Sequence, residues 1–327
     1  MRKFIEEQPV CIAAGLRAGH DNRGQLPLGP ESSSLFIGSG TSRHALMAVR
    51  PMFVGRTDVI GPVTYLAGGH SADHVLVLSQ IGTSATTLEA AQAAQASGAK
   101  LLVLTAEPES PIARLGAPTL HVPASGETIG PKTKGYTGSL ATLIGLAGQF
   151  AAPEAAFDEL SFSNFVGKAE GLAMTLAQTL DGADFVLFAG DAEHHATGLE
   201  ASLKVAEVAG LPTAAFEIEE TLHGRMHGLS TRSLALFLVA TAARRDSVVN
   251  AARVMEERGV RVLLVNMTAE ATPYDWVHLP GIDPPLATIY AVIPMQWLAM
   301  QLALRRGMSP DRMRFPGLSK ALSIKVV

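Results

Sequence analysis

The segment LVLSQIGTSATTLEAAQAAQASGAKLLVLT, residues 76–105, has the pattern of a strand, a hydroxyl-rich turn, a helix and a second strand. Its two ends are short runs of Val and Leu, and the Ala-rich part between them, Ser84–Ala96, has helical periodicity. Short apolar strands that alternate with longer helices are typical of βαβ units and a parallel sheet. The segment therefore predicts an α/β fold.

Equivalent apolar runs recur along the chain and predict further strands. In the first half, strands are predicted at Leu35–Gly38, Val63–Leu66, His74–Ser79, Leu101–Thr105 and Thr119–Val122. In the second half, they are predicted at Phe185–Ala189, Thr213–Phe216, Leu234–Val239 and Val260–Asn266, with helices near His195–Ala209 and Ser247–Arg258. The two halves share one order of elements.

An internal repeat supports this division. Residues 76–105 align without a gap with residues 237–266, and Gly98 then stands opposite Gly259. Hydrophobic periods that stay in register over such a length indicate tandem copies of one domain. We expect a first domain at residues 1–160, a second at 161–306, and a C-terminal tail at 307–327 that lies extended over the protein.

The composition excludes several classes of function. Hydrophobic residues make up 47% of the 327 residues, which is enough for substantial cores. Charged residues make up 17% and the formal net charge is -4, so no basic field would hold a nucleic acid. Cys11 is the single cysteine, so neither an intrachain disulfide nor a cysteine-based zinc site can form.

The first residues, MRKFIEEQPV, carry charges where a secretory signal needs an apolar core. The long apolar stretch Leu286–Leu304 contains Pro294 and Gln296 and has no second candidate span beside it. We interpret it as a buried core helix, although its length would also allow a membrane span. These features predict a cytoplasmic protein with no membrane partner.

The turn Ser79–Ser84 is a candidate phosphate site. It follows a strand and precedes a helix, so free backbone N–H groups and the positive end of the helix dipole would point at a ligand. The alternative is that Thr83 or Ser84 only caps the helix. A second turn, Gly38–Ser42, has the same setting. The matching turn of the second half, Ala240–Arg244, lacks serine and glycine, so we expect one phosphate site, in the first domain.

Three charged residues form a candidate acid–base cluster. Glu200, Lys204 and Glu207 are spaced by four and three residues, which places them on one face of a helix. The alternative is a surface ion-pair stripe. Apolar residues surround the cluster in sequence, and partly desolvated carboxylates make better general bases near neutral pH.

Several segments together resemble a known family. FIGSGTS, LSQIGTSATTLEA, ETIGPKTKGYTGSLATL, GLEASLKVAEVAG and EETLHG follow one another in the order found in proteins with sugar isomerase (SIS) domains. That family includes the isomerase half of glucosamine-6-phosphate synthase and stand-alone deaminases and deglycases. The resemblance implies two tandem SIS domains, each a doubly wound, mainly parallel sheet flanked by helices.

The resemblance also implies a sugar-phosphate site. Its residues would be Gly40, Thr41, Ser42, Ser79, Gln80, Gly82, Thr83 and Ser84. Ile81 stands where the family usually has a hydroxyl residue, which removes one donor. In the tail, Lys320 matches a lysine that the family places in the active site, and Lys325 is a rival.

By the same resemblance, Glu207 matches the base that moves a proton between C1 and C2, while Glu200 and Lys204 match residues that organise the site. His223 matches a histidine that opens the sugar ring and reaches across a subunit interface, which implies a homodimer with a shared active site. His223 and His227 are four residues apart and could together bind a metal, but two histidines alone do not make a metal site, so we expect neither metal nor cofactor.

Three reactions share the proton transfer that these roles imply. They are deamination of an amino-sugar phosphate, cleavage of a fructosamine-type phosphate, and aldose–ketose isomerisation. We place the two C–N cleavages first. A non-catalytic sugar-phosphate sensor is the alternative from another class, and the absence of a helix-turn-helix pattern weighs against it.

Overall fold

The computed structural model describes residues 1–326 and contains two five-stranded parallel sheets. The strands of the first sheet are β1 Ser33–Ile37, β2 Arg56–Ile60, β3 His74–Leu78, β4 Lys100–Thr105 and β5 Thr119–His121. The strands of the second sheet are β6 Phe185–Gly190, β7 Thr213–Phe216, β8 Ser233–Val239, β9 Arg261–Asn266 and β10 Asp275–His278.

Helices connect and cover these strands. Those up to the middle of the chain are α1 Arg2–Glu6, α2 Gln8–Asp21, α3 Thr41–Val49, α4 Pro62–Leu66, α5 Ala85–Ala96, α6 Lys134–Leu146, α7 Pro153–Ala156 and α8 Glu159–Gln178. The remaining ones are α9 Glu193–Ala209, α10 Ile218–Leu222, α11 Ala242–Glu256, α12 Pro284–Arg305 and α13 Leu318–Ala321.

Both sheets have the same topology. The strand order of the first is β2-β1-β3-β4-β5, and the second, from its β7 edge, is β7-β6-β8-β9-β10. This is the doubly wound order 2-1-3-4-5 in each case. Gly98 and Gly259, opposite each other in the repeat, both have left-handed backbones, with φ of 82° and 73°. The predicted α/β class and the tandem repeat are confirmed.

The chain forms two compact units. The first consists of residues 6–128, 132–162 and 315–326, and contains the first sheet. One face of this sheet packs against α4 and α5, through a core that includes Val75, Val103 and Ala91. Helices α2 and α6 pack closely on each other, since a Cβ atom at Gly19 would lie 1.9 Å from the carbonyl oxygen of Thr142.

The second unit consists of residues 1–5, 129–131 and 163–314, and contains the second sheet. Helices α10 and α11 cover one face through Ile218, Val248 and Ala252, and α9 packs against α12. Helix α12 is long and apolar enough to cross a membrane, but 94% of its most apolar 18-residue window is buried inside the protein. It is a core helix, as predicted for Leu286–Leu304.

Two local predictions were wrong. Val63–Leu66, predicted as a strand, belongs to helix α4, because Pro62 occupies the first turn and Gly61 enters it in an extended conformation. The strand of this region is β2, a half-exposed edge strand that starts with polar residues and has no continuous apolar run. The tail is not fully extended, because it contains the short helix α13.

Candidate functional site

The Ser79–Ser84 turn lies at the carboxyl end of β3 and is held tightly. The N–H of Ser79 donates to the carbonyl oxygen of Leu104 at 3.0 Å, and Gly82 closes the turn on the oxygen of Ser79 at 3.0 Å. Gly82 has φ 65°, and a Cβ atom there would lie 2.1 Å from Ser110 Oγ. Only glycine fits this position without moving Ser110.

Ser84 is the residue before helix α5, but its hydroxyl does not cap the helix. Within residues 1–326, its Oγ accepts a hydrogen bond from Thr87 Oγ1 at 2.9 Å and makes no capping bond to the backbone. In the matching turn of the second unit, Thr241 does cap its helix, because its Oγ1 accepts from the N–H of Arg244 at 3.4 Å. Thr241 thus acts as a helix cap in the second unit, whereas Ser84 does not act as one in the first.

The Gly38–Ser42 turn lies beside the Ser79–Ser84 turn. It follows β1, which pairs with β3, and the strand order reverses between these two strands. Helix α3 begins at Thr41 after Gly40, whose φ is 52°, and Ser42 is half-buried. In doubly wound sheets, ligands bind at the carboxyl edge where the strand order reverses. The fold thus brings both predicted turns to the place where such a ligand would bind.

Glu127, which the sequence analysis did not single out, organises this edge. Its buried carboxylate accepts from the N–H of Thr133 at 2.7 Å, from the N–H of Gly135 at 2.9 Å and from Gln80 Nε2 at 3.4 Å. A Cβ atom at Gly135 would lie 1.4 Å from Gln80 Nε2, so glycine allows the amide to pack there. The sequence contains one indication that Glu127 is important, because it is the only acidic residue between Glu109 and Glu154.

The tail crosses the Ser79–Ser84 turn. Lys325 forms an antiparallel bridge with Ser84, the N–H of Ala85 donates to Ile324 at 3.1 Å, and the N–H of Val326 donates to Thr83 at 2.8 Å. Lys320 lies in α13, one short turn earlier in the tail, and both lysine side chains are exposed. The main chain of Lys325, and not that of Lys320, is the one that pairs with the turn.

The acid–base cluster lies in the second unit, on α9. Lys204 is 1% exposed, and its Nζ lies 3.4 Å from Glu200 Oε1 and 2.5 Å from Glu207 Oε2. The Glu200 side chain is fully buried, whereas Glu207 is 22% exposed. Buried charges are stable only when paired, and this ammonium contacts two carboxylates. The cluster is therefore not a surface stripe, and Glu207 is its solvent-accessible member.

His223 follows α10 in the same unit and is 71% exposed. Its Nδ1 faces the carbonyl oxygen of Glu219 at 3.0 Å. His227 lies in the 3₁₀ turn that follows, Arg225–Gly228. No group of three or more His, Cys, Asp or Glu side chains suited to a metal is found in the part of the chain that the structure describes.

A protein-family model matches the part of the chain that contains these two turns. Residues 31–147, which include both hydroxyl-bearing turns and Glu127, match the SIS domain family. Residues 31–147 therefore form a SIS domain. The match lies in the first sheet and its flanking helices, and the second sheet repeats the same strand order.

Curated relatives align with nearly the whole chain. The chain is 26% identical over 357 aligned residues to a glutamine–fructose-6-phosphate aminotransferase [isomerizing] of Streptococcus pyogenes. The alignment includes 99% of this chain but 58% of the relative. The chain therefore spans little more than half the length of the curated relatives it matches.

Solved structures show the same fold over nearly the whole chain. The C-terminal domain of glucosamine-fructose-6-phosphate aminotransferase from Francisella tularensis has a TM-score of 0.79, with 17% identity over 95% of this chain and 97% of that one. Glucosamine-6-phosphate deaminase from Thermotoga maritima has a TM-score of 0.72, with 19% identity over 95% and 96%. The predicted pair of SIS domains is confirmed as a fold.

Proposed function

We propose that this SIS protein binds a phosphorylated sugar or amino sugar and transfers a proton between its C1 and C2, with cleavage of a C–N bond. The observation that carries the proposal is the acid–base cluster, a buried lysine between a buried carboxylate and an accessible one. The named relatives and fold neighbours act on sugar phosphates or amino-sugar phosphates, which supports the substrate class.

In this proposal the Ser79–Ser84 turn binds the phosphate group. Ser42, Thr83 and Ser84 offer half-buried hydroxyl groups at the edge where ligands bind in this fold. The hydroxyl of Ser84 is not used as a helix cap and can donate to an anion. A tail lysine, Lys320 or Lys325, would then act close to the sugar ring.

Glu207 is the proposed general base. Its accessible carboxylate would remove the proton from C2 of an open-chain amino sugar and return it to C1, while a second proton passes from the amine nitrogen to the carbonyl oxygen. The aldehyde and amine are thereby converted into a C1 hydroxyl and a C2 imine. Water would then add to the imine and release ammonia, leaving a ketose phosphate. For a fructosamine-type substrate, the proton moves from C1 to C2 and gives a C1 imine and a C2 hydroxyl. Water would then add to this imine and release the amine, leaving an aldose phosphate. Lys204 donates a hydrogen bond to Glu207 and holds its carboxylate in place.

Isotope exchange tests the proposal directly. Sugar phosphates, hexosamine phosphates and fructosamine phosphates would first be screened by thermal shift, because a bound ligand stabilises the native state by mass action. In heavy water, the protein should then incorporate deuterium at C1 or C2 of the best ligand. Glu207→Gln should bind the ligand but lose exchange by about 10²-fold or more, the usual contribution of a general base.

Glu257→Gln is the control, because that exposed carboxylate pairs with Arg253 on α11 and has no role in the proposal. Binding without exchange in the parent would indicate a sensor and refute the enzyme. Exchange without release of an amine would indicate an aldose–ketose isomerase. Exchange that survives in Glu207→Gln would show that another residue is the base.

We further propose that the protein acts as a homodimer in which His223 completes the partner's site. The exposed position of His223 supports this, since a residue that serves a partner must reach the surface. A mixture of His223→Ala and Glu207→Gln chains should regain activity after subunit exchange, while each homodimer alone stays nearly inactive. A lack of recovery after verified exchange would place both residues in one protomer's site.

A further inference from the structure

Three neighbouring turns at the carboxyl edge of the second sheet carry charged side chains that contact one another. Asp191 follows β6, Glu219 lies in α10 after β7, and Arg244 lies in the first turn of α11 after β8. The strands β8, β6 and β7 are adjacent in the sheet. The three side chains therefore come from separate parts of the sequence to one place.

Arg244 joins the two acidic residues. Its Nε lies 2.7 Å from Asp191 Oδ2, and its Nη1 lies 2.6 Å from Glu219 Oε2. Asp191 also accepts, through Oδ1, a hydrogen bond from the N–H of Ile218 at 3.0 Å, which attaches the start of α10 to the same edge. The hydrogen bond from Arg244 lowers the pKa of Glu219, so this carboxylate stays ionised near neutral pH.

The second oxygen of Glu219 faces His223. Glu219 Oε1 lies 3.3 Å from His223 Nδ1, and the main-chain oxygen of Glu219 lies 3.0 Å from the same nitrogen. Both oxygens can only accept hydrogen bonds, so the tautomer that satisfies them has its proton on Nδ1. The lone pair of the neutral ring is then on Nε2.

We infer that Glu219, held by Arg244, is a positioning residue that keeps the proton of His223 on Nδ1 and presents Nε2 to the sugar ring. The inference rests on the proposed function, in which His223 opens the ring. A histidine acts as acid or base only through the nitrogen that faces the substrate, and the group on its other nitrogen decides which tautomer is present. In ring opening, Nε2 would take the proton of the C1 hydroxyl as the bond from C1 to the ring oxygen breaks, and the ring oxygen would take a proton from a tail lysine or from water and become a hydroxyl group.

The neighbouring residue Glu220 provides a matched control. Glu219 and Glu220 are both 55% exposed and both pair with an arginine, but Glu220 Oε1 contacts Arg225, at 2.9 Å, and not the histidine. Exposed ion pairs of this kind contribute little to stability. A change in either glutamate should therefore leave the melting temperature nearly constant, and an effect on His223 would not come from unfolding.

The tautomer can be measured by ¹⁵N NMR of the histidine rings in the ligand-free protein, with His223→Gln used to assign the signal. The neutral ring of His223 should be protonated mainly on Nδ1. Glu219→Gln replaces an acceptor by an amide that can donate, so the Nδ1-protonated fraction should fall. Arg244→Ala should lower it as well, and Glu220→Gln should not. An unchanged tautomer in Glu219→Gln overturns the inference.

Kinetics provide the second readout. Glu219→Gln should lower kcat about tenfold, a part of the usual acid–base contribution, while KM changes less than about twofold. A changed tautomer with an unchanged kcat would also overturn the inference. If the parent protein turns over no sugar phosphate, the proposed function fails, and the tautomer measurement alone decides whether Glu219 positions the ring.

Discussion

Gly40 and Ala192 have nearly the same backbone conformation, with φ and ψ of 52° and -128° in the first and 48° and -122° in the second. Each residue immediately precedes a helix, α3 in one unit and α9 in the other. Glycine adopts this region freely, whereas an alanine there is strained by about 1–3 kcal/mol. The two units share this turn conformation, although only the first has a glycine at the position.

The strain predicts that Ala192→Gly stabilises the protein. Relief of the strain should exceed the added chain entropy of glycine, about 0.5–1 kcal/mol, so the free energy of unfolding should rise by about 1 kcal/mol. Urea unfolding measures this change, and Gly40→Ala is the reciprocal variant, which should lower the free energy of unfolding. An equal stability of parent and Ala192→Gly would show that the turn is relaxed.

Replacing both serines of the Ser79–Ser84 turn should weaken phosphate binding. Ser79→Ala with Ser84→Ala removes two hydroxyl donors, each worth about 1.5–3 kcal/mol when it bonds a charged group. Calorimetric titration should show the Kd for the sugar phosphate rising at least about tenfold. Ser97→Ala is the control, because Ser97 lies at the opposite end of α5 and donates to Ala94. Unaltered binding in the double variant would place the anion elsewhere.

Lys204→Met should destabilise the second unit strongly. The variant keeps the length of the side chain but removes the ammonium that lies between Glu200 and Glu207. Breaking a buried ion pair from one side costs about 3–5 kcal/mol, whereas an exposed pair contributes about 0–1 kcal/mol. Chemical denaturation of Lys204→Met and of Arg253→Ala, which loses an exposed pair with Glu257, compares the two cases. Similar losses in both would contradict the buried setting of Lys204.

Cys11 should be unreactive in the native protein. Burial raises the pKa of its thiol to about 12, and its Sγ lies 2.9 Å from the carbonyl oxygen of Pro123. The neutral thiol is a poor nucleophile. Iodoacetamide at pH 8 should therefore leave Cys11 unmodified until denaturant is added, as measured by mass spectrometry. Since folding raises this pKa, the associated stability is present below pH 9 and is lost as the pH approaches 12. Rapid labelling of the folded protein at pH 8 would contradict this.

The sequence predicted the elements whose signal is local. Central strands such as β3 and β8 are buried at every position, so a continuous apolar run marks them. The edge strands β2 and β10 were not predicted, because each is partly exposed and its sequence mixes polar and apolar residues. An edge strand has a neighbouring strand on one side only, and these two lack the continuous apolar run that marks a central strand.

The candidate site shows the same limit. Glu200, Lys204 and Glu207 are close because helix periodicity fixes their spacing, and their cluster was foreseen. The contact of Glu127 with Gln80 joins residues 47 positions apart and depends on how α6 starts beside β3. Tertiary contacts of this kind leave no periodic pattern in the sequence, so they become visible only in the three-dimensional structure.

The ion pair of Arg244 and Asp191 occupies the part of the second unit that corresponds to the proposed phosphate site of the first. Arg244 matches Thr83 in the repeat, and Asp191 follows Gly190 as Ser39 follows Gly38. Two copies of one fold offer two equivalent places where an anion could bind. In the second copy, a phosphate would have to separate the guanidinium of Arg244 from the carboxylate of Asp191, so this carboxylate already occupies the place of the anion. Under the proposed function, only the first copy then binds a phosphate, which predicts a stoichiometry of one sugar phosphate per chain.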